Sequence, residues 1–247
     1  MFENRLGGDI QYIKGKGGDV HSYFEKNKTQ RHSTQLTFKH KFNEKNRLDL
    51  KNSVTYFKRN ISIPDYSFEG TQISTFSELS YIHTTKKSEW VAGLNLWTDK
   101  FNEKKLTDFQ LRNYNQTIMG AFIQNNWRTT KWLNLETGLR TDYVPNYGIA
   151  VLPRISAHFK ITDKFSSRLG GGFGYKAPTI FTEDSERLQY QCVLPIDKNK
   201  NKLERSYGVN IDFNYVTSFC EGDITFSVNQ LFFYTYLDTP LLLQSSE

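Results

Sequence analysis

The chain has 247 residues, of which 37% are hydrophobic and 15% aromatic, with 19 Phe and 14 Tyr. A mean hydropathy of −0.61 is thin for a soluble core of this size, and no run of about 18 apolar residues exists to make a membrane helix. The net charge of +6 comes from Lys and Arg scattered among acids, with no compact basic helix or basic-aromatic module, so no nucleic-acid partner is expected.

Taken in order, the chain reads as strands joined by polar turns. Ile10 to Ile13 reads as a short first strand, and residues 15–30 as a polar loop. Arg31 to Phe42 carries Leu36, Phe38 and Phe42 on one face, with His40 interrupting it. Residues 43–46 (NEKN) form a tight turn. Leu48 to Phe57 returns with Leu48, Leu50, Val54 and Tyr56 outward, and residues 59–70 are expected as a longer loop turning at Pro64-Asp65. Thr71 to His83 presents Ile73, Leu79 and Tyr81; Trp90 to Trp97 presents Trp90, Ala92, Leu94 and Leu96. A charged loop follows from Asp99 to Asn113.

Gln116 to Arg128 is a strand whose two faces the pattern does not separate. Trp132 to Tyr143 is clearer: Leu133, Leu135, Thr137, Leu139, Thr141 and Tyr143 alternate with Asn134, Glu136, Gly138, Arg140 and Asp142. Period-2 alternation marks a strand with two unlike faces. Leu152 to Phe159 and Phe165 to Tyr175 continue the pattern, and residues 176–202 make the longest loop. Leu203 to Tyr215 and Ile224 to Tyr236 close the series as a hairpin, with Tyr207, Val209, Ile211 and Phe213 on the apolar side.

Roughly eleven strands of about 10–14 residues result, longer than the usual ~5–6. Short and long connections alternate, and aromatics gather near strand ends at Trp90, Trp97, Trp127, Trp132, Tyr143, Phe165, Tyr175 and Tyr215. Strands of this length, with that rhythm and an aromatic girdle, predict an all-β fold. Its form is an antiparallel meander in a transmembrane β-barrel, with outer-membrane lipid against the apolar face. A large soluble β-sandwich also alternates and is the competing architecture. In the barrel topology Cys192 lies in a long loop and Cys220 in a short turn at the opposite ends of the strands. No disulfide is expected between them, because a disulfide needs Cα atoms within about 7 Å.

Four segments then carry a family resemblance. They are residues 120–127 (GAFIQNNW), residues 138–143 (GLRTDY) with Pro153-Arg154, residues 174–179 (GYKAPT), and residues 203–208 (LERSYG), where a proline common in the family is missing. In this order and spacing the chain resembles TonB-dependent outer-membrane receptors of the siderophore and cobalamin type. The resemblance is specific from about Gln116 to Tyr236. It implies a 22-stranded barrel filled by an N-terminal plug, and a periplasmic TonB complex that moves the plug so that ligand passes. Residues 1–247 would then be a partial barrel domain, about half of the wall, with plug and closing strands outside it. The implied cargo is a metal chelate such as a ferric siderophore, cobalamin or haem, and the implied location is the outer membrane of a Gram-negative bacterium.

Aromatic and cationic side chains in the long loops suit a flat anionic chelate through stacking and charge. The candidates are Phe109, Arg112, Tyr147, Lys176, Arg187 and Tyr190. Arg140, Asp142, Arg154 and Asp212 are expected to face the lumen or the plug. The glycine run from Gly170 to Gly174 lacks the helix and the Gly-Lys-Ser/Thr ending of a phosphate loop, and reads as a strand that lets another backbone approach. The five histidines are scattered and no Ser/His/Asp set converges, so neither enzymatic activity, nor a resident cofactor, nor a metal site is expected. Two other functions compete with chelate import: a glycan-importing receptor of the same family, and a soluble β-sandwich adhesin or binding module.

Overall fold

The computed structural model describes residues 1–106, 109–219 and 223–244. They form one 11-stranded sheet in which each strand pairs with its neighbours in sequence. The strands are β1 (Phe2–Gly8), β2 (Phe24–Lys41), β3 (Asn46–Ile63), β4 (Tyr66–Thr84), β5 (Ser88–Glu103), β6 (Tyr114–Arg128), β7 (Leu133–Val144), β8 (Gly148–Lys160), β9 (Phe165–Lys176), β10 (Glu204–Phe219) and β11 (Ile224–Asp238). All these pairings are antiparallel. Two short helices, α1 (Ile10–Ile13) and α2 (Glu183–Arg187), sit in the connections. Neither helix is long and apolar enough to cross a membrane, which says nothing about strands.

The all-β meander matches the expectation, with four differences in its elements, one being that β5 runs on through Glu103, so Asp99 and Phe101, expected in the charged loop, are paired strand residues. Ile10 to Ile13 is a helix, because the Asp9 carboxylate accepts from the Gln11 amide and caps a single turn. β2 begins at Phe24, so part of the expected polar loop is strand paired with β1. The expected loop at residues 59–70 is the continuation of β3 and β4, paired up to Ile63 opposite Tyr66, with only Pro64 and Asp65 turning. Asp65 takes the left-handed backbone (φ 59°) that the tight turn demands. Connections at one end of the sheet are uniformly short; at the other, tight turns alternate with the long segments 9–23, 104–113 and 177–203. The expectation for the two cysteines falls partly outside the described residues, at Cys220; Cys192 is exposed with a free thiol.

Register places every side chain on one of two faces, since directly paired residues share a face. Through the lower half of the sheet, nearest the short turns, the back face is apolar. Leu50 pairs with Leu79, Leu79 with Leu94, Leu94 with Ala121, and Ile123 with Leu139. These leucines and Ile123 are exposed, at 41–62% of their surface. The front face at the same height is polar: Asp49, Ser80, Asn95 and Asp142 are buried there. Trp90, Trp127 and Trp132 stand exposed near the short turns, as a girdle requires. Trp97 and Tyr175 do not. Trp97 pairs with Phe76 on the front face and packs on a buried cluster, and the Tyr175 hydroxyl reaches Asp142.

The β6 strand, ambiguous in sequence, puts Met119, Ile123 and Trp127 on the back. Ile118, opposite Trp97, lies on the front. Apolar residues on both faces are what hid its phase.

Higher up, β3 to β6 exchange their faces. Past Tyr56 and Ile73 the back face turns to Lys58, Asn60, Glu69 and Lys100, while Ile61, Phe68, Phe101 and Tyr114 take the front. Ile61, Phe68 and Phe101 are almost fully buried, together with Ile180 and Tyr190 of the 177–203 segment. β3 and β4 run 18 and 19 residues, whereas crossing a bilayer core takes roughly 9–11. The surplus forms this second tier, with a polar back face and a buried apolar core on its front.

Candidate functional site

The 177–203 segment folds over the front face and is held there by a small set of contacts. Thr182 caps α2 by accepting from the Ser185 amide at 3.2 Å, and acids in the first turn suit the positive end of the helix. Gln189, Tyr190 and Cys192 follow with φ of 53°, 64° and 53°. Left-handed backbone costs an L-residue roughly 1–2 kcal/mol, so something must over-determine the bend. The Tyr190 carbonyl supplies it: it accepts from the Tyr66 hydroxyl at 2.9 Å and from the Arg112 guanidinium. Arg112 is buried and closed on Glu103. The Tyr190 ring stacks on Phe68 with centroids 4.7 Å apart and meets Phe181 edge-on at 5.9 Å.

A second tie is ionic. Arg59 on β3 reaches Glu186 on α2 at 2.5 Å, and the Tyr190 hydroxyl donates to the same carboxylate at 2.8 Å. The Arg59 guanidinium, then burial, then Tyr190 act on Glu186, with the net result that its carboxyl titrates below the usual glutamate range. Burial first, then the bond to Glu186, pushes the Tyr190 phenol up.

Between this segment and the sheet lies a cavity of about 530 Å³. Rings form much of its wall: Phe57, Phe76, Trp97, Phe181 and Tyr190. Its polar floor is the Asp99 carboxylate, 3% exposed. Asp99 accepts from Gln72 Nε2 at 2.9 Å, Ser74 Oγ at 2.8 Å and the Tyr114 hydroxyl at 3.0 Å. Beside it, Arg140 Nε donates to both Asp142 oxygens at 2.8 and 3.0 Å, and the Tyr175 hydroxyl donates to Asp142 at 2.9 Å. By register Tyr175 follows Phe173 on the back. It turns inward because β9 stops pairing with β8 above Gly172 and continues with β10 alone. Gly120 makes room for this cluster: a Cβ there would strike Asp142 Oδ1 and come within 2.6 Å of Asn95 Oδ1. Among the described residues no group of His, Cys, Asp and Glu could hold a metal ion.

Of the six loop candidates, Lys176 and Tyr190 line the cavity. Arg112 is a buried clamp under the folded segment, and Tyr147 packs against Val144, Ala150, Ala177 and Leu203. Phe109 stands exposed on the β5–β6 connection, and Arg187 is exposed and paired with Glu183 at 2.5 Å. Arg140, Asp142, Arg154 and Asp212 all lie on the front face, but only Arg140 and Asp142 touch. Arg154 faces Glu136 at 3.8 Å. The residues that sequence reasoning missed are those of the second tier, chiefly Arg59, Gln72, Trp97, Asp99, Tyr114 and Glu186. The signal for them was present: alternation continues through Phe57, Ile61 and Ile63 with its phase shifted by one, and that shift looks like the end of a strand.

Comparison with known proteins places this architecture. In solved structures, the FrpB iron transporter from Neisseria meningitidis (F3-3 variant) matches with a TM-score of 0.66 at 14% identity, over 96% of this chain and 41% of that one. The siderophore receptor PirA from Pseudomonas aeruginosa matches with a TM-score of 0.56 at 14% identity, over 77% of this chain and 37% of that one. The copper transporter OprC matches with a TM-score of 0.54 at 12% identity, over 78% and 37%. The chain thus spans 37–41% of these proteins' lengths, and the likeness is one of fold. No curated protein sequence matches. The family model for the TonB-dependent receptor-like β-barrel matches residues 3–238, and with the eleven-stranded meander this makes the chain a member of the TonB-dependent receptor β-barrel family.

Proposed function

We propose that the protein is an outer-membrane receptor of a Gram-negative bacterium that imports a metal chelate such as a ferric siderophore, cobalamin or haem, energised through TonB. Residues 1–247 are one stretch of its barrel wall. The back-face band from Leu50 across to Leu139 meets lipid, and the polar front face lines the lumen. There Arg140, Asp142, Arg154 and Asp212 face the lumen or the plug. Chelate binds where the strands leave the apolar band, against Lys176 and Tyr190.

The observation that carries this reading is the ring-walled cavity of about 530 Å³ beneath the folded 177–203 segment. It is a concave site of ligand size with a few convergent polar groups. The matched structures, of an iron transporter, a siderophore receptor and a copper transporter, support the choice of cargo. The test is a deletion of the full-length gene. Uptake of at least one labelled chelate under metal restriction should fall to the level of a strain lacking TonB function, and the protein should fractionate with the outer membrane. Recovery in the soluble fraction, or unchanged uptake of every chelate tried, would sink the reading.

A further inference from the structure

Two of the cavity's three lining cations are already spoken for. Arg59 is held by Glu186 at 2.5 Å, Arg140 by Asp142 at 2.8 Å, and the nearby Arg112 is closed on Glu103. Lys176, at the exposed end of β9, lies opposite Glu204 in register but forms no ion pair among the described residues, and the Glu204 carboxylate accepts from the Leu241 amide at 3.3 Å. Asp99, in contrast, accepts only from neutral donors, the amide of Gln72 and the hydroxyls of Ser74 and Tyr114. Among the described residues one lining cation, the exposed Lys176, and one lining carboxylate, the buried Asp99, are thus left without an ion-pair partner, and their charges offset each other.

What the wall offers in quantity is uncharged. Phe57, Phe76, Trp97 and Phe181 present ring surface. Gln116 lines the cavity with its side-chain oxygen buried and without a partner among the described residues, free to accept from a ligand.

Building on the chelate reading above, we propose that this site takes a metal chelate of net charge near zero, held by ring faces and neutral hydrogen bonds, and rejects multiply anionic chelates. Lys176 can answer one negative charge; to pair with more, the site would have to open the Arg59–Glu186 or Arg140–Asp142 bridge and leave a carboxylate unpaired. At Asp142, 1% exposed, an unpaired carboxylate is strongly unfavourable, and at the half-exposed Glu186 the cost is smaller. The unpaired Asp99 adds direct repulsion, so selectivity here works by exclusion as well as by fit.

The experiment uses the full-length protein in detergent, with quenching of Trp97 fluorescence and calorimetry as readouts. The probes are an uncharged iron(III) tris-hydroxamate and a triply anionic iron(III) tris-catecholate. The uncharged probe should bind on the order of 100-fold more tightly. Glu186→Gln, which frees Arg59, should raise affinity for the catecholate about tenfold. Asp99→Asn, which leaves the folded segment alone, should raise it several-fold and serves if the first variant does not fold. Equal or tighter binding of the catecholate by the unmodified protein overturns this proposal and leaves the chelate reading standing. Binding of neither probe by folded protein overturns this proposal too, and the chelate reading then stands or falls with the uptake test above.

Discussion

The same four strands carry two opposite patterns of apolar and polar faces. In the lower half of β3 to β6 the exposed face is Leu50, Leu79 and Leu94, and polar groups such as Asp49, Ser80 and Asn95 are covered. In the upper half Lys58, Glu69 and Lys100 are outside, and Ile61, Phe68 and Phe101 are covered. Strand geometry is unchanged across the switch; only which phase of the alternation is apolar changes. The lower tier is therefore inside out by the standard of a water-soluble protein, and the upper tier is not. The lesson is that the cavity belongs to the upper tier. Its ring wall is a soluble-type core, assembled only when the 177–203 segment lies down on it.

That contrast can be broken at several points. Tyr190→Ala should have the largest effect, because the ring is almost wholly buried between Phe68 and Phe181. Truncations of this kind cost about 3–5 kcal/mol. The loss should appear as rapid proteolysis within 177–203, while the thermal transition of the barrel stays in place. Simultaneous loss of both would mean that the tiers are one cooperative unit.

Leu94→Arg comes next. Leu94 is 62% exposed, so in water the change would be close to neutral. Against lipid it should cost roughly 2–4 kcal/mol, read from denaturant unfolding in lipid or detergent. Lys100→Leu, one tier up on the same face, should be nearly silent in the same assay. Equal effects at the two positions would remove the distinction between the tiers.

Gly120→Ala tests the floor between them. A Cβ would meet Asp142 Oδ1 and Asn95 Oδ1, and both are held in place by Arg140. Overpacking here should cost about 1–3 kcal/mol. Gly138→Ala is the control, since its Cβ would have nothing closer than 3.8 Å.

The smallest effect is the pH dependence of the folded segment. Glu186 titrates below its ordinary value of 4.5 because Arg59, foremost, favours the charged form. Its contribution is complete above that ordinary value and is lost as pH falls through the lower folded value. The Glu186 side chain is 48% exposed, so about 0.5 kcal/mol is at stake after solvent screening. Protease sensitivity of 177–203 should rise slightly in acid, and Glu186→Gln should flatten that response.

Much of this was legible in the residues. Strands with strong one-sided alternation, such as Leu133 to Tyr143, were readable down to the face of each side chain. Four spaced motifs pointed to the family. The upper hairpin at Pro64-Asp65 was harder, because a phase shift in alternation looks the same as a strand ending in a loop. Ile10 to Ile13 was misjudged because four residues hold too little pattern to set against one Asp cap.

By itself, then, the sequence determined the meander and the lower-tier strand phases other than that of β6, which depend on neighbours one or two positions apart, and the kinship, which rests on four short motifs in order. Only the tertiary structure decided that Arg112 is a clamp, that Arg59 is taken by Glu186, and that Asp99 stands without a cation. Those pairings join residues of β3, β4, β5, β6 and the 104–113 and 177–203 segments. Their partners are set by sheet register and by where a long segment comes to rest, and no local pattern carries that information.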